Sequence, residues 1–151
     1  MVNCAIVGIG RWGQLLVDSA KKSKHIKFTH GVTRIPAKVE KFGVNHGLTL
    51  TDDFSTVLAN PSIDAVVLAT PHTQHFDQIV KAAHAGKHVF CEKPYTLSRD
   101  QAIKALAAVS DAGVKTAVGF NRRFAPNYQK MQTKNKHKYM EELQKIILET
   151  I

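Results

Sequence analysis

Cys91-Glu92-Lys93-Pro94 holds a lysine between a carboxylate and a proline, and of all the residues in this chain Lys93 is the one best placed to move a proton. The X-Pro bend restricts the backbone ahead of it. Burial or neighbouring cations lower an ammonium's pKa toward the range useful for acid/base work. Lys93 is therefore the candidate catalytic residue and Glu92 the group that orients or neutralises it, with an ordinary surface Glu–Lys pair as the alternative. Cys91 reads as a small buried hydrophobe.

A second pattern, Gly8-Ile9-Gly10-Arg11-Trp12-Gly13, is a G-x-G-x-x-G set between an apolar run and a segment of helical period. That context suits a dinucleotide pyrophosphate. Gly8 permits the turn, Gly10 lets backbone approach the phosphates, Gly13 allows close helix–strand packing, and the helix N-terminus supplies amide donors. About 20 residues further on, where an acid would accept hydrogen bonds from the adenosine ribose, stand Thr33 and Arg34. A hydroxyl and a guanidinium suit a 2′-phosphate, so NADP is favoured over NAD. Lys38, one helical turn on, could assist. A solvated Arg34, or one stacked on adenine, keeps NAD as the second cofactor.

Ala69-Thr70-Pro71-His72-Thr73-Gln74-His75 follows the strongest strand pattern, at the edge where doubly wound sheets bind ligands. Thr70, Pro71 and His72 are candidates for the cofactor. His75 joins that set, with capping or packing at the start of the next helix as its other role. Gly119-Phe120-Asn121-Arg122-Arg123-Phe124 closes the last strand; of its two adjacent arginines one suits a cofactor phosphate or carboxamide and the other an acid elsewhere, and a structural role for both is equally open.

The elements that must position these residues alternate short Val/Ile-rich runs with helical segments, as in a doubly wound parallel α/β sheet. Strands are expected over 3–9, within 26–33, at 48–50 and over 64–70, 88–91 and 115–119. Between them, Trp12, Leu15, Leu16 and Ala20 mark one helix face. Val39 and Phe42 lie on a helix ending near Gly43, and a brief helix spans 54–58. Phe76, Ile79, Val80 and Ala83 mark a helix closed by Gly86. Ser98 and Gln101 resemble a capping box opening a helix whose Ala102, Ile103, Leu106 and Val109 face inward. The reading divides the chain into a dinucleotide-binding domain, 1–125, and a segment, 126–151, made of a polar irregular connector to Lys138 and an amphipathic helix. That helix carries Tyr139, Met140, Leu143, Ile146, Ile147 and Ile151, and either packs on the domain or mediates self-association.

With 151 residues and 44% hydrophobic composition, the chain has the means for one packed core. Two cysteines in separate apolar runs exclude a disulfide framework and favour a cytoplasmic setting. No apolar run spans a bilayer and the N-terminus does not read as a signal peptide, so no membrane partner is expected. The net charge of +9 comes from scattered lysines without interleaved aromatics, so nucleic acid is not expected either; some of the excess suits an anionic small molecule. No metal site is expected.

Taken together, the glycine loop, the Thr70-Pro71-His72-x-x-His75 segment, Ala85-Gly86-Lys87-His88-Val89-Phe90-Cys91-Glu92-Lys93-Pro94 and Gly119-Phe120-Asn121-Arg122-Arg123-Phe124 resemble the glucose-fructose oxidoreductase / inositol dehydrogenase / MocA family of NAD(P)-dependent oxidoreductases. The resemblance covers residues 2 to about 130. It implies a Rossmann domain serving hydride transfer to or from a sugar, cyclitol or related carbon. It also implies that Lys93 hydrogen-bonds the reacting oxygen and aids proton transfer, while Thr70, His72, Glu92 and Arg122 line the cofactor. Members of the family continue into a second α/β substrate domain on the order of 200 residues, whereas 25 residues follow Pro126 here. The family's second acid/base residue, the histidine of an Asp-x-x-x-His segment, has no counterpart: Thr133 stands four residues before His137. The expectation is a cofactor domain with an incomplete catalytic site, or an inactive NADP-binding module that associates through its last helix.

Overall fold

The computed structural model describes residues 1–130; the expected amphipathic helix from Tyr139 to Ile151 lies outside the described residues. The chain divides into two units, Met1–Gly119 and Phe120–Ile151. In the second, a 3-10 turn spans Asn121–Phe124. Residues 126–130 are helical where an irregular connector is expected; a proline at the first helical position is well accommodated because its missing N–H has no partner there anyway.

The first unit is one six-stranded sheet of β1 (Val2–Val7), β2 (Ile26–Val32), β3 (Thr49–Thr51), β4 (Ala65–Leu68), β5 (His88–Cys91) and β6 (Thr116–Val118). All neighbours are parallel, in the order β3-β2-β1-β4-β5-β6. The order reverses between β1 and β4, and ligands bind at such a crevice at the carboxyl ends of the strands. Five helices, α1 (Arg11–Ala20), α2 (Glu40–His46), α3 (Phe54–Ala59), α4 (His75–His84) and α5 (Arg99–Asp111), complete the crossovers.

The unbroken apolar run of β1 is explained by burial on both faces. Ala5 and Val7 enter one cluster with Val66, Leu68, Ile79 and Ala105. Cys4 and Ile6, pointing the other way, enter a second with Val17, Phe28 and Leu48. Lys87 is buried too, its ammonium donating to the carbonyls of Asn60 (2.7 Å) and Ile63 (2.8 Å), so this charge is spent inside the fold.

Three helix expectations need correction. On α1 the buried stripe is Gly13 and Val17, flanked by half-buried Leu16 and Ala20, while Trp12 and Leu15 are 43% and 48% exposed. Contact of Gly13 with the Gly8 carbonyl sets the phase of this helix. On α5 the inner stripe is Ala105 and Val109, leaving Ile103 55% and Leu106 51% exposed. At about 100° per residue, neither can share a face with Ala105, whose small side chain joins Ala82 and Ala83 of α4 in the core. Gly43 does not end α2. It lies buried within it, where a Cβ would stand 2.7 Å from a Leu50 methyl, and Gly47 at φ +63° ends the helix instead. The capping pair on α5 is present: Ser98 Oγ accepts from the Gln101 amide at 3.2 Å, and Gln101 Oε1 accepts from the Leu97 amide at 3.2 Å.

Candidate functional site

The loop after β1 lies at the crevice. Gly8 adopts φ +93°, and a Cβ there would stand 2.7 Å from the Ala69 carbonyl oxygen, so this turn demands glycine. A Cβ on Gly13 would collide with the carbonyl oxygen of Gly8, which is how α1 comes so near β1. At Gly10 a Cβ would meet nothing within 4 Å. The backbone there faces open space, the cradle a pyrophosphate would occupy. α1 opens with no side-chain cap and no acid in its first turn, and Arg11 adds positive charge beside the N-terminal amides.

From this loop a groove of about 470 Å³ runs across the ends of β1, β2, β3 and β4. Gly8, Ile9 and Gly10 form one side; Thr33, Arg34 and Lys38 form the end after β2; Thr70 and Pro71 form the wall after β4. The structure thus brings together the glycine loop, the candidate phosphate-binding cations and the Thr70-Pro71 turn. Arg11 and Trp12 are exposed at the start of α1, and Gly13 is buried beneath the loop. The Thr70 hydroxyl donates to Gln78 Oε1 at 2.6 Å, and Gln78 Nε2 donates to Gln74 Oε1 at 3.2 Å. Both glutamines line the groove, as do Asp52, just after β3, and Phe54, at the start of α3. None of these four is singled out by the sequence motifs; the parallel register that sets the end of β3 beside the end of β2 is the signal that finds Asp52.

His75 lies in the interior, not on the groove wall. It is fully buried, with Nδ1 2.7 Å from the Pro94 carbonyl oxygen and Nε2 3.0 Å from the Thr70 carbonyl oxygen. Its ring joins the turn after β4 to the turn that carries Lys93. His72 is exposed at the start of a 3-10 turn, His72–Gln74, its ring 5.6 Å from that of His75 and edge-on to it.

Glu92 is buried, its amide donating to the Leu68 carbonyl at 3.0 Å. Its carboxylate rests on the bare Cα of Gly119, where a Cβ would come within 2.6 Å of Oε1. Lys93 is exposed and joined to Pro94 by a cis peptide bond. Arg122 belongs to the second unit, in its 3-10 turn. Among the described residues no cluster of three metal-ligating side chains occurs, and no helix is long and apolar enough to cross a membrane.

Both cysteines are buried, which disfavours their thiolate forms. Burial, with the Glu92 charge second, pushes the Cys91 thiol up to about 12. Burial and then Asp64 push Cys4 up to about 11. Thiolate is the reactive form, so the folded chain at pH 8 is expected to resist a disulfide-exchange reagent and to release two thiol equivalents only on denaturation. Rapid labelling of native protein would contradict this burial.

A doubly wound parallel sheet with a phosphate loop at its switch point defines an NAD(P)-binding Rossmann domain. The profile of an oxidoreductase family with an NAD-binding Rossmann fold, GFO_IDH_MocA, matches residues 2–120, and the chain belongs to that family. It is 39% identical over 130 residues to the Bacillus subtilis protein "Uncharacterized oxidoreductase YrbE", covering 85% of this chain and 38% of that one. It is 38% identical over 132 residues to scyllo-inositol 2-dehydrogenase (NAD(+)) of the same species, covering 84% and 38%. The crystal structure of Lactobacillus casei scyllo-inositol dehydrogenase with NAD(H) and scyllo-inositol superposes with a TM-score of 0.80 at 30% identity, covering 90% of this chain and 42% of that one. The chain thus spans about two-fifths of the length of these relatives.

Proposed function

We propose that this chain binds NADP in preference to NAD and serves a dehydrogenase acting on a secondary hydroxyl of a cyclitol or sugar. The observation that carries the reading is the groove itself, with the open glycine loop at one side and Arg34 and Lys38 at the end after β2. Arg34 has no carboxylate partner within 4 Å among the described residues, so its guanidinium is available for a bidentate grip on a 2′-phosphate. Thr33 adds a hydroxyl beside it. The relatives' names supply the substrate class, and the two buried, unpaired cysteines accord with a reducing, cytoplasmic setting.

The nicotinamide, when bound, supplies hydride exchange; the chain's own residues supply the proton handling. Lys93 follows β5 at the same carboxyl edge of the sheet, and its ammonium is the group to hydrogen-bond the reacting oxygen and to hold or return its proton. Glu92, anchored against Gly119, fixes the backbone that carries the lysine. Thr70 and Pro71 wall the cofactor groove, with His72 on the exposed turn beside them. Arg122 is proposed as a further cofactor contact.

The test is titration of the chain with NADPH and NADH, followed by an assay for hydride transfer with a panel of cyclitols and sugars. Trp12, the single tryptophan, stands in the first turn of α1, next to the glycine loop, and its quenching is the readout of binding. Saturable binding tighter for NADPH, with turnover that Lys93→Ala abolishes, supports the proposal. Binding with no turnover assigns a cofactor-binding module instead. Absence of binding to either dinucleotide overturns the reading.

A further inference from the structure

We propose that Asp52 is a second reader of the adenosine ribose, set on the neighbouring strand, and that it narrows the site's discrimination so that NAD is accepted alongside NADP. The proposal rests on the dinucleotide reading above and deepens it.

Three observations carry it. The first is register. β2 and β3 pair in parallel with Val32 opposite Thr51, and the Thr33 amide donates to the Thr51 carbonyl at 3.0 Å. Asp52 therefore continues β3 level with Thr33, at the place where a ribose-binding acid ordinarily ends the second strand. The carboxylate missing from β2 is present one strand over. The second is location, because Asp52 lines the same groove as Thr33, Arg34 and Lys38.

The third is availability. Of two adjacent acids, Asp53 is committed to the N-cap of α3: its Oδ1 accepts from the Ser55 amide at 2.8 Å, and this bonding lowers its pKa. Asp52 makes no hydrogen bond or ion pair among the described residues, and neither Arg34 nor Lys38 stands within 4 Å of a carboxylate there. One carboxylate and two cations thus share a groove edge without neutralising one another.

The chemistry of each ligand follows. A carboxylate accepts hydrogen bonds from the vicinal 2′- and 3′-hydroxyls of NAD. Toward a 2′-phosphate it is a like charge, offsetting part of the attraction of Arg34 and Lys38. Asp52 is exposed, so water and salt screen it, and each effect is on the scale of an exposed charge pair, about fivefold in affinity.

The experiment titrates the full chain and its Asp52→Asn variant with NADPH and NADH at low and at 0.5 M salt, reading Trp12 quenching. Asn keeps the shape of Asp52 and leaves Asp53 to cap α3, so a matching melting curve confirms an intact fold. Asp52→Asn is expected to bind NADPH about fivefold more tightly and NADH about fivefold more weakly, with the NADPH gain shrinking in high salt. A ratio of affinities unchanged within twofold overturns the role of Asp52 while leaving dinucleotide binding intact. Failure of the wild-type chain to bind either dinucleotide overturns the underlying reading and this proposal with it.

Discussion

Replacing Gly13 with alanine is expected to cost the first unit about 3 kcal/mol or more, among the larger effects a single methyl can have. The added Cβ would collide with the Gly8 carbonyl oxygen, which is backbone and has little freedom to retreat, since the Gly8 N–H donates to the Val32 carbonyl (2.9 Å) and Gly8 lies close against Ala69. Relief requires α1 to lift off β1, uncovering Val17 and Ile6. Against a total stability of about 5–15 kcal/mol, that loss would move the urea midpoint clearly and lower the melting temperature by roughly 10 °C. Dinucleotide affinity would fall with it, because the same displacement opens the phosphate loop. Gly10→Ala separates the two effects. Its Cβ would meet no protein atom within 4 Å and its φ of −78° suits any residue, so the fold should be unchanged while the methyl obstructs the approach of a pyrophosphate. Equal stability losses at Gly10 and Gly13 would refute this division of labour.

That division is legible in the glycine spacing, since each position has a different physical requirement and the local context names it. Helix phase is harder to read. Ile103 and Leu106 are the larger apolar side chains on α5, yet it is Ala105 that is buried, because α4 also brings alanines to the shared core and close packing favours small groups. Trp12 and Leu15 mislead in the same way: hydrophobicity ranks them as core, but the Gly13–Gly8 contact turns them outward. The identity of a helix stop depends on what the neighbouring strand does, and Leu50 is what makes Gly43 a packing glycine rather than a terminus. Asp52 shows the same limit within the site. Nothing in its local sequence separates it from Asp53, and only the pairing of β3 with β2 brings it to the groove.

His75 connects the site's two halves. Its ring spans from the Thr70 carbonyl to the Pro94 carbonyl, so the turn that walls the cofactor groove and the turn that carries Lys93 are held by one buried side chain. If the groove holds the cofactor and Lys93 handles the proton, as proposed, groups arising from different strands need such a tie, because misplacing a reacting group by about 1 Å is enough to lose most of its benefit.

Reversing the charge of Arg34 should move cofactor choice more than any other single change in the groove. Arg34→Asp removes a charge-assisted grip on the 2′-phosphate and places a carboxylate where one ordinarily accepts from ribose hydroxyls. NADPH affinity is expected to fall about a hundredfold, combining the lost hydrogen bonds with new repulsion, while NADH affinity rises severalfold. Lys38 remains to bind phosphate, so residual NADPH affinity should still weaken with salt, and Lys38→Ala on top of Arg34→Asp should flatten that dependence. Because Asp52 acts on the same ribose edge, the effects of Arg34→Asp and Asp52→Asn should not add: a second carboxylate gains little where one already reads the hydroxyls, so removing Asp52 should cost NADH less in the Arg34→Asp background than in the wild type. Parallel quenching titrations of the single and double variants measure this coupling. An unchanged NADPH-to-NADH ratio in Arg34→Asp would place the phosphate-reading charge elsewhere and remove the basis for NADP preference.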